Sequence, residues 1–227
     1  MIVAVTGLVR EARIAEAAGV TAISGGGKGS LRGRLEQALD AGARGIISIG
    51  IAGGLAPSLK SGDCVIGSEV VSDGLHYAAD PAWTARLAAK LPDAVVAPIA
   101  GADAVILDRN RKADLFRESG AYAVDMESHI VARVAQARGI PFAVLRTIAD
   151  SADKTLPPLV TSALNEDGSV NVSAVLAGLV SRPQDIAALM RTARQSEKAF
   201  AALLRCRDAL GSLLLGPDGS ELALDMR

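Results

Sequence analysis

Short apolar runs that stop at glycine alternate with stretches of helical periodicity along much of the chain. Ile2 to Val5 stops at Gly7, and Val20 to Ile23 stops at the Gly25-Gly26-Gly27 cluster. Further apolar runs lie at Gly45 to Ile49, Cys64 to Val71, Ala121 to Val124 and Phe142 to Ile148. Between them, Arg10 to Ala18, Leu31 to Ala41 and Glu127 to Arg138 carry the helical period. Runs without polar alternation are strands buried on both faces, and strand–helix alternation makes the sheet largely parallel. The reading is an α/β fold: one domain over 1–215, a three-layer sandwich with a central mixed, mostly parallel sheet flanked by helices. From Asp185 to about Leu215 the pattern predicts a long amphipathic helix or helix pair. Residues 216–227 read as a tail, disordered or partly an expression scar.

Charge and cysteine content exclude several classes. The net charge is −1 and the basic residues are scattered, so no nucleic-acid footprint is expected. Cys64 and Cys206 have neither metal-ligand nor redox spacing and read as core or surface residues. No secretory signal is recognisable, and no apolar run approaches the ~18 residues a spanning helix needs. The expected compartment is the cytoplasm.

Active sites of parallel α/β sheets lie at the carboxyl ends of strands. Ser24-Gly25-Gly26-Gly27-Lys28-Gly29-Ser30 follows a strand, but it fails the P-loop pattern. Ala22 stands at the first glycine position and Gly29 follows the lysine. The dinucleotide fingerprint also fails, at Ser30. Free amides in such a turn can still hold an anion, although a plain tight turn explains the glycines equally well. His76 and His129 have no nucleophile partner in a recognisable motif.

Three segments carry chemistry: Ser48-Ile49-Gly50-Ile51-Ala52-Gly53-Gly54-Leu55-Ala56-Pro57 with Leu59-Lys60-Ser61-Gly62-Asp63, then Val124-Asp125-Met126-Glu127, then Leu145-Arg146-Thr147-Ile148-Ala149-Asp150-Ser151-Ala152-Asp153. In this order they resemble the methylthioadenosine / S-adenosylhomocysteine nucleosidases, within the nucleoside phosphorylase superfamily. The match covers residues 1 to about 153. The distal third, with Asn165-Glu166-Asp167-Gly168, Arg182-Pro183 and an Ala-rich helix, resembles the hopanoid-associated phosphorylases. That branch is implicated in removing adenine from adenosylhopane.

The resemblance implies cleavage of a purine–ribose bond. Such an enzyme protonates N7 of the leaving base, grips the ribose and places a nucleophile near C1′. Asp150 resembles the general acid; alone, it would read as a helix N-cap. A carboxylate there accepts from a 6-amino group and disfavours a 6-oxo purine, so the base should be adenine. Glu127 resembles the acceptor of the ribose hydroxyls; otherwise it is a first-turn glutamate. Arg146 sits in an apolar strand and would orient Glu127; depending on the alignment, Glu11 either positions water or misses that role by one residue. Met126, Asp125, Ile51, Ala52, Gly53, Val105, Ile106 and Ala149 are expected at the substrate. Val105 replaces the usual stacking aromatic.

Phosphate and water both remain open as nucleophile. Ser48 and Ile51 depart from the phosphate-holding pattern, while Arg10-Glu11-Ala12 thins the nucleosidases' acidic cluster. Gly7, Arg10, Gly27, Lys28 and Arg32 could cradle phosphate. The reading leans to phosphorolysis, with phosphate as co-substrate and no cofactor. Further expectations are a homo-oligomer, most simply a dimer, and an adenine nucleoside substrate with a lipid at the 5′ position. Leu159, Val160, Leu164, Val175, Leu176, Leu179, Ile186, Leu189 and Met190 would wall a lipid channel or simply pack the core. Peripheral association with the inner membrane surface would accompany that substrate. The alternatives are a methylthioadenosine / S-adenosylhomocysteine-type nucleosidase, a general adenine nucleoside salvage enzyme, and a non-catalytic nucleoside-binding module.

Overall fold

The computed structural model describes residues 1–17, 19–25, 30–158 and 186–211. Eight strands and six helices follow in the order β1 (Ile2–Thr6), α1 (Val9–Ala15), β2 (Val20–Ser24), α2 (Leu31–Asp40), β3 (Ile46–Gly54), β4 (Cys64–Ser72), β5 (Leu75–Ala78), α3 (Pro81–Lys90), β6 (Val95–Gly101), α4 (Arg109–Ser119), β7 (Ala123–Asp125), α5 (Ser128–Arg138), β8 (Phe142–Asp150) and α6 (Ile186–Leu210). The expected three-layer α/β architecture is present. Parallel pairs join β1 to β2 and β3, β3 to β8, and β6 to β4 and β7; β3–β7, β4–β5 and β4–β8 are antiparallel.

The sheet does not simply run from edge to edge. Its path is β2-β1-β3-β7-β6-β4-β5, and β8 bridges β3 and β4. The strands β3, β7, β6, β4 and β8 therefore close a ring, with β1–β2 and β5 as extensions.

Side-chain parity explains the all-apolar runs. On β8, Phe142, Val144 and Ile148 join one buried cluster with Leu35 of α2 and Val131 of α5. Ala143 and Leu145 join the other, with Trp83 of α3 and Leu203 of α6. Strand side chains alternate between faces, so a strand covered on both sides must be apolar at every position. Arg146 breaks that run on the α2/α5 face, opposite Gly50 in register. Thr147 faces the other way and donates to the Ala199 carbonyl of α6 at 3.0 Å. Cys64 and Cys206 pack in this second cluster.

Local signals set the helix ends. Asp80 caps α3 by accepting from Trp83 N at 2.7 Å, with Pro81 in the first turn. Asp108 caps α4, and Gly120 ends it in the left-handed region at φ 65°. The final helix is described over Ile186–Leu210, and the ends of the expected stretch, Asp185 and 212–215, lie outside the described residues. The 216–227 tail lies outside the described residues.

Candidate functional site

A pocket of about 450 Å³ opens at the carboxyl ends of the strands, within the roughly 300–1,000 Å³ range of small-molecule sites. Its polar groups come from the termini of β1, β3, β7 and β8 and from α1. The lining includes Gly7, Glu11, Ile51, Ala52, Gly53, Val105, Ile106, Asp125, Met126, Glu127, Ala149 and Asp150. Each of these was expected from the sequence. Thr192 and Ser196 of α6 complete one side.

On one flank Arg146 organises an acidic cluster. It is fully buried, and its Nε donates to Asp125 Oδ2 at 2.7 Å while Nη2 donates to Ser48 Oγ at 2.6 Å. Glu127 Oε2 stands farther off, at 3.7 Å. Arg146 was expected to orient Glu127; its hydrogen bonds go to Asp125 and Ser48, and it reaches Glu127 as an ion pair alone. Asp125 also accepts from Glu127 N at 2.9 Å, from Ser128 N at 2.7 Å, and from the Ser128 hydroxyl. Both of its oxygens are spent inside the protein, so its side chain braces the start of α5 rather than binding substrate.

Glu11 is buried and accepts from Leu8 N and Ile51 N, both at 2.7 Å. Burial raises its pKa against the pull of Arg146. Glu127 is pushed up to about 8, first by burial, then by the neighbouring Asp125 and Glu11, with Arg146 opposing. Asp125 stays below the usual carboxylate range: burial works against its charge, but Arg146 and the Ser128 bonds outweigh it. Three carboxyl groups around one guanidinium favour retention of a proton in the cluster.

Glycines make room for these groups. A Cβ on Gly7 would sit 2.8 Å from Glu127 Oε1, and one on Gly50 would sit 2.6 Å from both Arg146 Nη1 and Glu11 Oε1. Gly7, just past the end of β1, and Gly50, in the middle of β3, are therefore steric requirements of the cluster.

The other flank holds Asp150 at the end of β8, 7% exposed. Its Oδ2 accepts from Lys112 Nζ of α4. Burial raises its pKa, partly offset by Lys112. Lys112 was missed by sequence reading. The signal that could have found it is helical spacing: Lys112, Leu115, Phe116 and Ser119 share one face of α4, with lysine standing where an apolar residue belongs.

The proposed phosphate residues do not converge. Arg10 pairs with Glu197 and lies 4.1 Å over the Phe200 ring; Arg32 pairs with Glu36 at 2.8 Å on the surface. Neither lines the pocket, because each has a partner on its own or a neighbouring helix. Gly7 does line it, while Gly27 and Lys28 lie outside the described residues. His129 is buried against Asp103 at 3.1 Å.

Carboxylates gathered at the carboxyl rim of an α/β sheet, facing an apolar wall, can accept hydrogen bonds from a small ligand on one side and pack its apolar part on the other. The chain belongs to the phosphorylase superfamily, whose family model matches residues 19–206. It is 35% identical over 133 residues to a 5′-methylthioadenosine/S-adenosylhomocysteine nucleosidase of Anoxybacillus flavithermus, covering 48% of this chain and 57% of that protein. A nucleosidase of the same description from Exiguobacterium sp. is 33% identical over 132 residues, covering 48% and 57%. The chain thus spans little more than half the length of these curated relatives. Among solved structures, the Helicobacter pylori 5′-methylthioadenosine/S-adenosyl homocysteine nucleosidase superposes with a TM-score of 0.67 at 18% identity, covering 92% and 96% of the two chains. Futalosine hydrolase of Helicobacter pylori gives 0.66 at 19%, also covering 92% and 96%.

Proposed function

We propose that this protein cleaves the N-glycosidic bond of an adenine nucleoside, with Asp150 as the acid that protonates N7. The observation that carries the reading is a single pocket with a buried acid on one flank and a proton-retaining carboxylate cluster on the other. Asp150 gives its proton to N7 and the glycosidic electron pair leaves with the base. Glu127 accepts from the ribose hydroxyls, and the nucleophile adds at C1′. The nucleosidase relatives support this assignment.

Water is the nucleophile the electrostatics favour, against the sequence-based leaning to phosphate. Arg146, the buried cation on the ribose flank, is already engaged by Asp125 and Ser48, and Arg10 and Arg32 are paired elsewhere. A phosphate dianion there would face Glu11 and Glu127 at low effective dielectric. Water gives up its proton to the ionised member of the Glu11–Glu127 pair as it adds. Nucleoside and water then yield adenine and free sugar, and solvent resets both flanks.

The 5′ substituent is proposed to be apolar. Leu8, Leu31, Ile106, Ile130 and Leu156 line the pocket beside the polar groups. Adenosylhopane remains the finer candidate, and it would need a channel beyond this volume. Most of its expected wall, Leu159 to Leu179, lies outside the described residues, as does the Ile186 side chain; Met190 is 53% exposed and Leu189 is half-buried. Among the described residues no helix is long and apolar enough to cross a membrane. We further propose a homodimer that closes the 5′ side.

The test is incubation with adenosine, 5′-methylthioadenosine, S-adenosylhomocysteine and adenosylhopane, with and without phosphate, followed by chromatography of base and sugar. Free adenine with unphosphorylated sugar is expected. Sugar 1-phosphate would restore phosphorolysis, and no free base from any substrate would leave a binding module.

A further inference from the structure

Lys112 is fully buried on a helix whose other positions are half-buried or exposed. Lysine is almost never fully buried unless paired, since an isolated ammonium loses its hydration without return. Here all three donors are used. Nζ donates to Asp150 Oδ2, to the Ser151 carbonyl at 3.3 Å and to the Lys154 carbonyl at 3.1 Å. An apolar side chain of similar volume would hold α4 to the sheet as well or better, because buried ion pairs are weak stabilisers. Packing alone does not account for the residue.

We propose that Lys112 is a positioning residue for the proton donor: its ammonium holds Oδ2 of Asp150, leaves Oδ1 to face the base, and stabilises the negative charge that grows on the carboxyl as its proton leaves. The proposal rests on the adenine nucleoside reading. Asp150 begins the reaction neutral, with Lys112 donating to its carbonyl oxygen. The proton passes from Oδ1 to N7, the glycosidic pair goes to the purine, and Asp150 becomes a carboxylate against the ammonium. The contact strengthens along the reaction coordinate, which is the condition for lowering a barrier rather than merely binding.

Among the described residues, the surroundings of Asp150 supply few other charges. From β3 it meets Gly53, where a Cβ would lie 3.7 Å from both carboxyl oxygens, and Gly54. From the segment after β8 it meets Ser151, whose hydroxyl donates to Asp153 at 2.6 Å; Asp153 pairs with Lys154 at 2.7 Å in solvent. From α6 the pocket receives Thr192 and Ser196, which do not titrate. Glu11, Asp125 and Glu127 act on Arg146 across the pocket. Lys112 opposes the effect of burial on Asp150, so its removal makes Asp150 a weaker acid.

The experiment compares wild type with Lys112→Met and Lys112→Gln on an adenine nucleoside and on 4-nitrophenyl riboside, whose leaving group departs without a proton. The expected result is at least about a 10²-fold loss of kcat on the adenine nucleoside, the range for losing one preorganised donor. Turnover of the nitrophenyl riboside should stay within about threefold, against that 10²-fold loss. The alkaline limb of the kcat/KM profile should also move to higher pH in both variants, since protonated Asp150 then persists longer. Equal losses on both substrates, or a limb that stays put or moves down, would overturn the proposal; retained nitrophenyl turnover reports that the variants fold. A wild type that releases no adenine refutes the function itself. A wild type that does, beside variants with an unmoved limb, refutes the role of Lys112 alone.

Discussion

Arg146→Met is the substitution whose cost the structure defines most directly. The guanidinium contacts Asp125 at 2.7 Å and approaches Glu127 at 3.7 Å. At an effective dielectric near 20, the Asp125 pair has a gross attraction of roughly 4 kcal/mol, and Glu127 adds to it where it is ionised. Desolvation of the three ions offsets much of that while the pairs are intact. Once the cation is gone the carboxylates stay buried without it, and breaking a buried pair in this way costs about 3–5 kcal/mol. For a domain of this size that lowers Tm by roughly 6 °C or more. The cost should depend on pH in a fixed direction. Arg146 pulls down the pKa of Asp125, Glu127 and Glu11. Its loss raises their folded-state pKa values, and a carboxyl raised above its unfolded value costs stability as pH climbs past that value. The penalty should therefore be larger at pH 8 than at pH 5, by up to about 1 kcal/mol for each unit by which a group titrating inside that window is shifted. Urea unfolding of both proteins at the two pH values measures it. A penalty below about 1 kcal/mol at pH 8, or one equal at both pH values, would mean that the cluster is not held by this cation.

Asp150→Asn should reduce adenine release by about 10²- to 10⁴-fold with the unfolding midpoint retained, because an amide cannot deliver the proton; near-normal turnover would remove Asp150 from the mechanism. Binding of a carbocyclic adenosine analogue should weaken as pH falls from 8 to 6, because Glu127, raised to about 8, loses the charge that grips the hydroxyls. Titration calorimetry should find that dependence missing in Glu127→Gln, and its persistence there would assign it to another group. In Gly7→Ala the new Cβ would displace Glu127 from a 2.8 Å approach, lowering kcat/KM by about tenfold; unchanged kinetics would show that Glu127 has no fixed position to lose. Light scattering should give a dimer at micromolar concentration, and a fully active monomer would contradict the proposed closure of the 5′ side.

The parts of the fold that were legible in the sequence are those where both faces of a strand are buried. β3 and β8 read as strands because parity leaves no position for solvated side chains, and Arg146 stood out against that background. Gly7 was legible as a rim position because glycine ends its run, and Gly53 because it lies in the nucleosidase-like motif after the third run. The α4 helix was not legible: RNRKADLFRES presents its charges all round, and its buried position is a lysine. β6 was obscured by Pro98 in a seven-residue run, and the four-residue β5 is mostly exposed at the sheet edge. Asp125 was assigned to substrate because sequence places it beside Met126 and Glu127. Which carboxylate turns inward depends on Ser128 and Arg146, and that pairing is visible only in three dimensions.

The placement of β8 has a consequence for how the chain is made. Among the described residues it is the last strand in sequence, yet it lies between β3 and β4. During synthesis those two strands emerge long before their shared neighbour, each with a row of unpaired backbone groups and apolar side chains. Until Phe142–Asp150 leaves the ribosome, the nascent chain presents a gap whose sides are strand edges. Long-range insertion of this kind is slow and leaves aggregation-prone surface open. The same strand brings Arg146 and Asp150, so the event that closes the gap also completes the site. A truncated chain ending before Phe142 would be both inert and sticky.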